Sequence, residues 1–326
     1  MPHAAPKASD GNDHRYAEMA NMTNVAVIDY PGALKSAVHG IEEILSFAGT
    51  LRSERNLKVR ITGEPEAGFD VYILPPTACP IDLDKAPQVP RLLAKEHAKG
   101  ALMCSVCAGL TWLAAADIPG PRPVTTHWEL SDAMAKRFPG LHTDADPILI
   151  EYSDLITAGG MMAWVDLCLA LIERFVDRDA MIEVAQKFVV DIGHRDQRRY
   201  KRFVPDLGHQ DSALRRAQMF IERNYNQSVT VSQIAKVAGM SDRSLIRRFK
   251  GQFGLSPMAY VQTIRIEKAK DALLHSAKSI QTIAFDAGYS DHSAFSRRFM
   301  DHTGMTPNAF RSEFDPRPPR DLHSGG

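Results

Sequence analysis

The segment IAKVAGMSDRSLIRRFKGQFGLSP (234–257) occurs a second time, in altered form, as IAFDAGYSDHSAFSRRFMDHTGMTP (283–307). The two copies are offset by 49 residues at Gly239 and Gly288 and by 50 residues at their closing prolines, so the second copy carries one extra residue. Such self-similarity within one chain indicates a duplicated structural unit.

Each copy has the pattern of two helices joined by a tight turn. The first helix ends in Ala-Gly, and Gly239 or Gly288 allows a left-handed turn. Ser241 or Ser290 then follows as the predicted N-cap of the second helix. This pattern predicts a helix-turn-helix unit, whose second helix enters the major groove of DNA.

The second helix of each copy has one apolar face and one polar face. Helical spacing predicts that Leu245 and Phe249, and in the other copy Phe295 and Phe299, face the core. The candidate base-contacting side chains on the outward faces are Arg243, Ile246, Arg247, Lys250, His292, Ser293, Ser296 and Arg297. Arginine, serine and histidine can hydrogen-bond to base edges, and isoleucine can contact a thymine methyl group.

A solvated helix face is the alternative interpretation of any single arginine, but two outward basic faces on duplicated units favour DNA binding. The neighbours Arg248 and Arg298 are placed for phosphate contacts. Between the copies, residues 259–276 have a helical pattern that would hold the units at a fixed separation. The two units would then contact successive major-groove segments, about 34 Å apart along the duplex.

The net charge of the 326-residue chain is zero, with 39 Lys and Arg against 39 Asp and Glu. From His209 onward there are 17 basic and 11 acidic residues, a charge of +6, whereas residues 1–208 carry 22 and 28, a charge of −6. The balance therefore excludes a uniformly basic protein but places the positive charge on the duplicated units. Hydrophobic residues make up 44% of the chain, which excludes a wholly disordered protein.

Strand and helix patterns alternate in the N-terminal half, which predicts an α/β fold with a mostly parallel sheet, followed by an all-α domain. Strands are predicted at 24–32, 57–63, 70–76, 101–109 and 148–160, and helices at 34–51, 87–100, 110–117, 161–176 and 179–190. The predicted organisation is a disordered tail (1–22), an α/β domain (23–190), a linker (191–210), a helix-turn-helix domain (211–314) and a disordered tail (315–326).

The segment CSVCAG (104–109) contains the residue with the clearest chemistry. Cys107 follows a strand among small residues, which is typical of a nucleophile elbow, and a following helix N-terminus would lower its thiol pKa. Cys104 is predicted to lie in the core. A redox pair or half a zinc site is the alternative, but no second Cys-x-x-Cys occurs, so we predict neither metal nor cofactor.

Two further segments could contribute to a site near Cys107. His127 supplies an imidazole, and Trp128 supplies a cation–π face for a cationic ligand or is a packed core residue. Gly159 and Gly160 precede a long helix, where backbone amides could bind an anion.

The remaining patterns concern the environment of the chain. Four cysteines do not form a disulfide framework, the N-terminus has no apolar signal segment, and no run of eighteen apolar residues occurs. We expect a cytoplasmic protein with no membrane partner.

Residues 212–314 resemble the DNA-binding domain of AraC/XylS-type transcription regulators. The resemblance is carried by S-x-R-x-L-x-R-x-F (241–249), G-Y-S-D-x-S-x-F-S-R-x-F (288–299) and G-x-T-P-x-x-F-R (304–311). It implies bacterial transcription control, with double-stranded promoter DNA, RNA polymerase and a second copy of the chain as partners.

Residues 24–190 resemble the PfpI-type, class I glutamine amidotransferase-like superfamily, which implies a flavodoxin-like fold. The match rests on Cys107, Thr-Thr-His-Trp (125–128) and Thr-Ala-Gly-Gly (157–160). Relatives fused to AraC-type domains regulate amino-acid, betaine or related amine metabolism, which implies a small-molecule effector. The superfamily's enzymes carry an acidic residue where this chain has Ala37, so the resemblance implies a non-catalytic sensor. The alternatives are residual amidase- or hydratase-type thiol chemistry and a redox sensor at Cys107.

Overall fold

The computed structural model describes residues 22–52, 56–63, 66–193 and 196–314. Two compact units divide the chain, the first ending at Gln197 and the second beginning at Arg198. The predicted tails at 1–22 and 315–326 lie outside the described residues, apart from Met22.

The first unit is built on a six-stranded sheet in the order β2-β1-β3-β4-β8-β7, in which only β7 is antiparallel to its neighbour. The strands are β1 (Met22–Ile28), β2 (Asn56–Thr62), β3 (Val71–Leu74), β4 (Leu102–Val106), β7 (Leu149–Glu151) and β8 (Leu155–Ala158), and β5 (Pro123–Val124) pairs with β6 (His142–Thr143) in a second small sheet. Every residue of β3, β4 and β8 is buried, because helices cover both faces of a parallel sheet. The predicted flavodoxin-like α/β fold is confirmed.

The described residues of this unit form six α-helices: α1 (Lys35–Gly49), α2 (Gln88–His97), α3 (Leu110–Ala115), α4 (Ser131–Arg137), α5 (Trp164–Phe175) and α6 (Arg178–Phe188). The apolar residues of α1 recur with helical spacing and are buried on one face, among them Ala37, Ile41 and Leu45. Three short elements between 118 and 147, β5, α4 and β6, were not predicted, because segments of two to seven residues show too little periodicity.

The structure corrects two predicted boundaries near the end of the sheet. Residues 148–160 form a hairpin rather than one strand, since Tyr152 donates its N–H to Leu155 O at 2.7 Å across the turn between β7 and β8. Ser and Asp at 153 and 154 favour such a turn. The helix predicted from 161 begins at Trp164.

The second unit contains seven helices within its described residues: α7 (Ser212–Asn224), α8 (Val231–Ala238), α9 (Asp242–Phe253), α10 (Pro257–His275), α11 (Ile280–Asp286), α12 (His292–Thr303) and α13 (Pro307–Phe314). They form two hydrophobic cores, one for each copy of the repeat. Helix α10 contributes Tyr260 and Ile264 to the first core and Ile266 and Leu273 to the second. One continuous helix therefore holds the two helix-turn-helix units together, as predicted.

The two copies differ in how their second helices begin. Gly239 and Gly288 both adopt left-handed backbone conformations, with φ of +72° and +87°. Ser241 caps α9 as predicted, whereas α12 is capped by Asp291, which accepts hydrogen bonds from the amides of residues 293 and 294. The predicted cap Ser290 is therefore replaced, because the extra residue of the second copy lies in this turn and moves the helix start by one position.

The boundary between the two units, after Gln197, falls within the predicted linker 191–210. Gln197 is 2% exposed and belongs to the first unit, where its N–H donates to Asp146 O at 2.7 Å. Beyond it, Phe203 packs edge-on against Tyr260, and His209 Nε2 lies 2.7 Å from Gln218 Oε1. Contacts of this kind, made by single polar and aromatic side chains, leave no hydrophobic periodicity in the sequence.

Candidate nucleic-acid interface and elbow cysteine site

The outward faces of α9 and α12 have the composition that the repeat predicts. Leu245, Phe249, Phe295 and Phe299 are fully buried, which fixes the rotation of both helices. The opposite faces expose Arg243, Ile246, Arg247, Arg248, Lys250, His292, Ser293, Arg297 and Arg298, with Ser296 partly buried. Ile246 is 43% exposed among these polar side chains, where an isoleucine can contact a thymine methyl group. Contact with DNA stays a prediction for each of these residues.

The two arginines predicted to contact phosphates each lie near a carboxylate. The Arg248 guanidinium donates to the carboxylate of Asp211, the N-cap of α7. Arg298 Nη1 lies 4.0 Å from Asp301 Oδ2, and both of those side chains are more than 60% exposed. Arg248 is therefore the more firmly positioned of the two.

A groove of about 700 Å³ runs beside α12 and includes residues that sequence reasoning missed. Arg297 and Arg298 line it together with Gln262 and Arg265 of α10. Arg265 donates to the carbonyl of Tyr225 at 2.7 Å, and burial lowers its pKa. It therefore ties the linking helix to the first unit of the repeat, and no motif in the sequence distinguishes it from a surface arginine.

In the α/β unit, Cys107 lies at a sharp elbow, as predicted. Strand β4 ends at Val106, and Cys107 has a φ of +55°, in the left-handed region that a non-glycine residue seldom adopts. Gly109 lies so close to the end of β3 that a Cβ atom at this position would be 2.5 Å from Leu74 O. A side chain at position 109 would therefore collide with the backbone after β3, so glycine is required there.

The environment of the Cys107 thiol corrects the prediction of a lowered pKa. The side chain is 3% exposed, and its Sγ–H points to Met161 Sδ at 3.7 Å. Burial raises the pKa of the thiol to about 11, although backbone amides of Ala108 and His127 act in the opposite direction. The thiol is therefore protonated at neutral pH. Cys104 is fully buried in β4, as predicted.

His127 and Trp128 lie beside the elbow, but the imidazole makes its polar contact elsewhere. His127 Nδ1 accepts the N–H of Glu129 at 3.2 Å, and the ring stacks on Trp128 with 5.4 Å between centroids. Burial lowers the pKa of His127, so the neutral imidazole is favoured. The backbone of His127, rather than its ring, is the part directed at Cys107.

Gly159 and Gly160 lie in the same region as the Cys107 elbow. They have a structural role there that the sequence did not suggest. The N–H of Gly159 donates to Ile148 O at 2.7 Å, and a Cβ atom at Gly159 would lie 2.0 Å from Gln197 Nε2. Gly160 has a φ of +100° and leads into the turn before α5. The Gly159 amide is thus occupied by the β7–β8 hairpin and is not free for an anion.

Gln197 is a central residue of this region that sequence reasoning missed, because it lies in the predicted linker. Its amide group donates to Thr126 O at 2.8 Å and to Thr125 Oγ1 at 3.2 Å. Its carbonyl oxygen accepts the backbone N–H of Trp128 at 3.1 Å. The Thr-Thr-His-Trp segment is therefore fixed by a side chain some seventy residues later.

The position of the superfamily's acidic residue is occupied by Ala37, which is buried in α1. Near Cys107 lies Tyr30, whose hydroxyl donates to Pro75 O and whose ring packs edge-on against Trp112 at 5.4 Å. Burial raises the pKa of Tyr30 well above its ordinary value. Within the described ranges, no three His, Cys, Asp or Glu side chains are grouped to hold a metal ion, and no helix is long and apolar enough to cross a membrane.

Residues 30–174 match the DJ-1/PfpI family, and residues 234–313 match a helix-turn-helix domain family. The chain combines an AraC-type helix-turn-helix domain with an N-terminal DJ-1/PfpI domain. The HTH-type transcriptional regulator ArgR of Pseudomonas aeruginosa is 29% identical over 216 residues, which cover 66% of this chain and 65% of ArgR. The regulator CdhR of the same organism is 24% identical and covers 69% of this chain and 67% of CdhR.

Among solved structures, Drosophila melanogaster DJ-1beta is 21% identical with a TM-score of 0.45. The match covers 52% of this chain and 100% of DJ-1beta.

Proposed function

We propose that this chain is a sequence-specific DNA-binding transcription regulator whose α/β unit binds a small metabolite. The observation that carries the proposal is the pair of outward faces on α9 and α12, each backed by a buried hydrophobic pair and joined by one helix. This arrangement suits two recognition helices in successive major-groove segments. The names of ArgR and CdhR as transcriptional regulators support it.

The effector proposed is an amino acid, betaine or related amine, bound at the carboxyl edge of the sheet, where open α/β sheets place ligands. A ligand that binds two states of the protein with different affinity shifts their populations and so changes DNA binding. Promoter DNA, RNA polymerase and a second copy of the chain are the proposed partners, and the cytoplasm is the proposed location.

The α/β unit acts in this proposal as a sensor without catalysis. Three observations support that: the raised thiol pKa of Cys107, the contact of His127 with Glu129 rather than with sulfur, and Ala37 at the superfamily's acidic position. A thiolate is the nucleophile in cysteine enzymes, and among the described residues the hydrogen-bonding partners of the Cys107 sulfur are Met161 and the backbone of Ala108 and His127, not a carboxylate or an imidazole.

The test is selection of duplexes from a random pool by the full-length chain, followed by footprinting of the selected site. The proposal expects protection of two major-groove segments about one helical turn apart. Alanine at both Arg247 and Arg297 should abolish selection of a consensus, while a double variant at Lys95 and Lys99 of the α/β unit should select the same one. Recovery of no consensus by the wild-type chain contradicts the proposal.

The left-handed backbone of Cys107 favours a second candidate, residual amidase- or hydratase-type thiol chemistry, because strained backbones cluster at functional sites. Turnover of small amides or nitriles by the full chain, lost in Cys107→Ser, is the result that this candidate requires. Effector-dependent DNA binding that survives Cys107→Ser without any turnover supports the sensor instead.

A further inference from the structure

The sheet order places a topological switch point between β1 and β3. Strand β1 pairs with β2 on one side and β3 on the other, and the remaining strands continue beyond β3. Ligands of open α/β sheets bind where the strand order reverses, outside the carboxyl ends of these strands. The loops that follow β1 and β3 therefore form the expected walls of a ligand site.

Those two loops enclose a recess of about 250 Å³. Its apolar lining comes from Pro31 in the loop after β1, from Ile81 and Ala86 in the loop after β3, and from Trp112 of α3. Pockets for drug-sized ligands have about 300–1,000 Å³, so a recess of this volume suits a smaller molecule. None of the residues that the sequence pointed to as an effector site lines it.

The elbow itself offers less room. Cys107 is 3% exposed and in contact with Met161, so a ligand reaches its sulfur only after side chains move. The recess is connected to the elbow through α3, since the Trp112 ring packs against Tyr30, and Tyr30 lies beside Cys107. A ligand in the recess that moves Trp112 would therefore change the packing around Cys107 without contacting its thiol.

The charges of the recess indicate the class of ligand. Asp82 and Lys85 both line it, with 3.7 Å between Nζ and Oδ2, and their side chains are 50% and 72% exposed. An exposed pair of this kind contributes little to stability and exchanges readily for other partners. One carboxylate and one ammonium group at an otherwise apolar recess complement a compact molecule that carries both charges.

We infer that this recess is the effector site and that its ligand is a compact zwitterion, with its cationic group at Asp82 and its carboxylate at Lys85. The inference rests on the proposed sensing function and specifies its site and ligand class. A DNA-binding chain whose effector binds elsewhere would satisfy the proposed function but not this inference.

Cys79 provides a reporter within the recess. It lines the recess and is exposed, whereas Cys104, Cys107 and Cys168, the other cysteines of the chain, are buried. The experiment measures the rate of Cys79 alkylation by iodoacetamide in the full-length chain, with modified peptides identified by mass spectrometry. Glycine betaine and L-ornithine are the zwitterionic probes, and choline and putrescine are matched cations without a carboxylate.

The inference expects at least one zwitterion to slow Cys79 alkylation tenfold or more at saturation, while its matched cation has no effect. Lys85→Ala should raise the half-protecting concentration about tenfold, and Lys99→Ala, an exposed lysine at the other end of the domain, should leave it unchanged. Ala86→Phe, which fills the recess, should slow alkylation even without ligand.

Three results overturn the inference: no protection by either zwitterion, equal protection by the matched cations, or protection unaffected by Lys85→Ala. Thermal unfolding of each variant identifies any that fails to fold. If Ala86→Phe fails to fold, Lys85→Ala, a substitution at an exposed position, still tests the inference. Binding of the selected duplex is measured in parallel. Zwitterion protection in a chain that binds no DNA overturns the proposed function alone, and DNA binding without protection overturns the inference alone.

Discussion

Arg248, on the outward face of the first recognition helix, is held by the carboxylate of Asp211, which also begins the second unit's first helix. Oδ1 of the same carboxylate accepts hydrogen bonds from the backbone N–H groups of Ala213 and Leu214, with N···O distances of 3.1 Å in both cases. One acidic side chain thus caps a helix and pairs with an arginine that is predicted to contact a phosphate. The chain has a built-in competitor for one of its predicted DNA contacts.

The Asp211–Arg248 pair predicts that Asp211→Asn strengthens binding to DNA. Asparagine caps helices about as well as aspartate, so α7 should persist, but the neutral amide releases Arg248. If Arg248 then contacts a phosphate, the slope of log K against log salt should steepen by about 0.9. Fluorescence anisotropy of a labelled duplex between 50 and 200 mM salt measures it.

Asp271→Asn is the matched control, because it removes the same charge from an exposed position on α10. The control should raise affinity slightly and leave the salt slope unchanged, since no arginine is released. An equal gain in both variants would assign the effect to net charge rather than to Arg248.

Substitution of Arg247 is predicted to lower DNA affinity together with base preference. Its side chain is exposed on the face of α9 opposite the buried Leu245 and Phe249, where a bidentate contact to guanine is possible. Arg247→Ala should cost about 1–3 kcal/mol against the selected duplex and relax the preference at one base pair. Competition binding with single-base variants of the site measures this, with Arg223→Ala on α7 as control. A loss that is uniform over all sequences would make Arg247 a phosphate contact.

Local patterns predicted the parts of the fold that depend on local spacing. The period of Leu245, Phe249, Phe295 and Phe299 was sufficient to orient both recognition helices, because burial follows the helical repeat. The small residues around Cys107 were likewise sufficient for the elbow, and the alternation of strands and helices for the parallel sheet.

Features that depend on distant partners could not be predicted. Gln197 contacts the region of the elbow only because the chain returns there, to Thr126 and Trp128. The pKa of Cys107 is set by burial, which no local pattern records, and it has the opposite sign to the effect of a helix N-terminus. The recess at Asp82 and Lys85 depends on the sheet order, since its walls come from loops after β1 and β3, which are neighbours in the sheet but not consecutive in the chain.

The cap of α12 predicts unequal effects at two adjacent positions. Asp291 accepts the amides of Ser293 and Ala294 at 3.1 and 2.8 Å, and these hydrogen bonds lower its pKa. Asp291→Ala should therefore lower the unfolding midpoint of the second unit and weaken binding through α12, whereas Ser290→Ala should do neither. Differential scanning calorimetry compares the two. A larger effect of Ser290→Ala would restore the serine as the cap.

Asp154 predicts a loss of stability in acid. Arg122 binds its carboxylate with two hydrogen bonds of 2.6 and 3.1 Å, and His97 Nε2 lies 2.7 Å away, so the pKa of Asp154 is held well below its usual range. Because the folded pKa is depressed, the stabilisation is present above the unfolded pKa of about 3.9 and is lost as the pH falls through the folded value.

Urea unfolding of wild type and Asp154→Asn between pH 7 and pH 3 tests this. The variant should be less stable at pH 7, and the difference should shrink as the pH falls below about 4. Asp70→Asn, another carboxylate of the same unit that is bonded to Asn24, controls for the general effect of acid. A difference between wild type and Asp154→Asn that is constant with pH would contradict the charge-based account.

The buried thiol of Cys107 predicts that the native chain has one rapidly reacting cysteine. With a pKa of about 11, Cys107 is about 0.1% thiolate at pH 8, and its sulfur is covered as well. Iodoacetamide should therefore modify Cys79 first, Cys79→Ser should remove the fast phase, and Cys107 should react only in urea. A redox sensor would require the reverse, with rapid modification of Cys107 in the native state and a peroxide-dependent change in DNA affinity that dithiothreitol restores. Either result in the Cys79→Ser variant would overturn the description of Cys107 as a closed, protonated thiol.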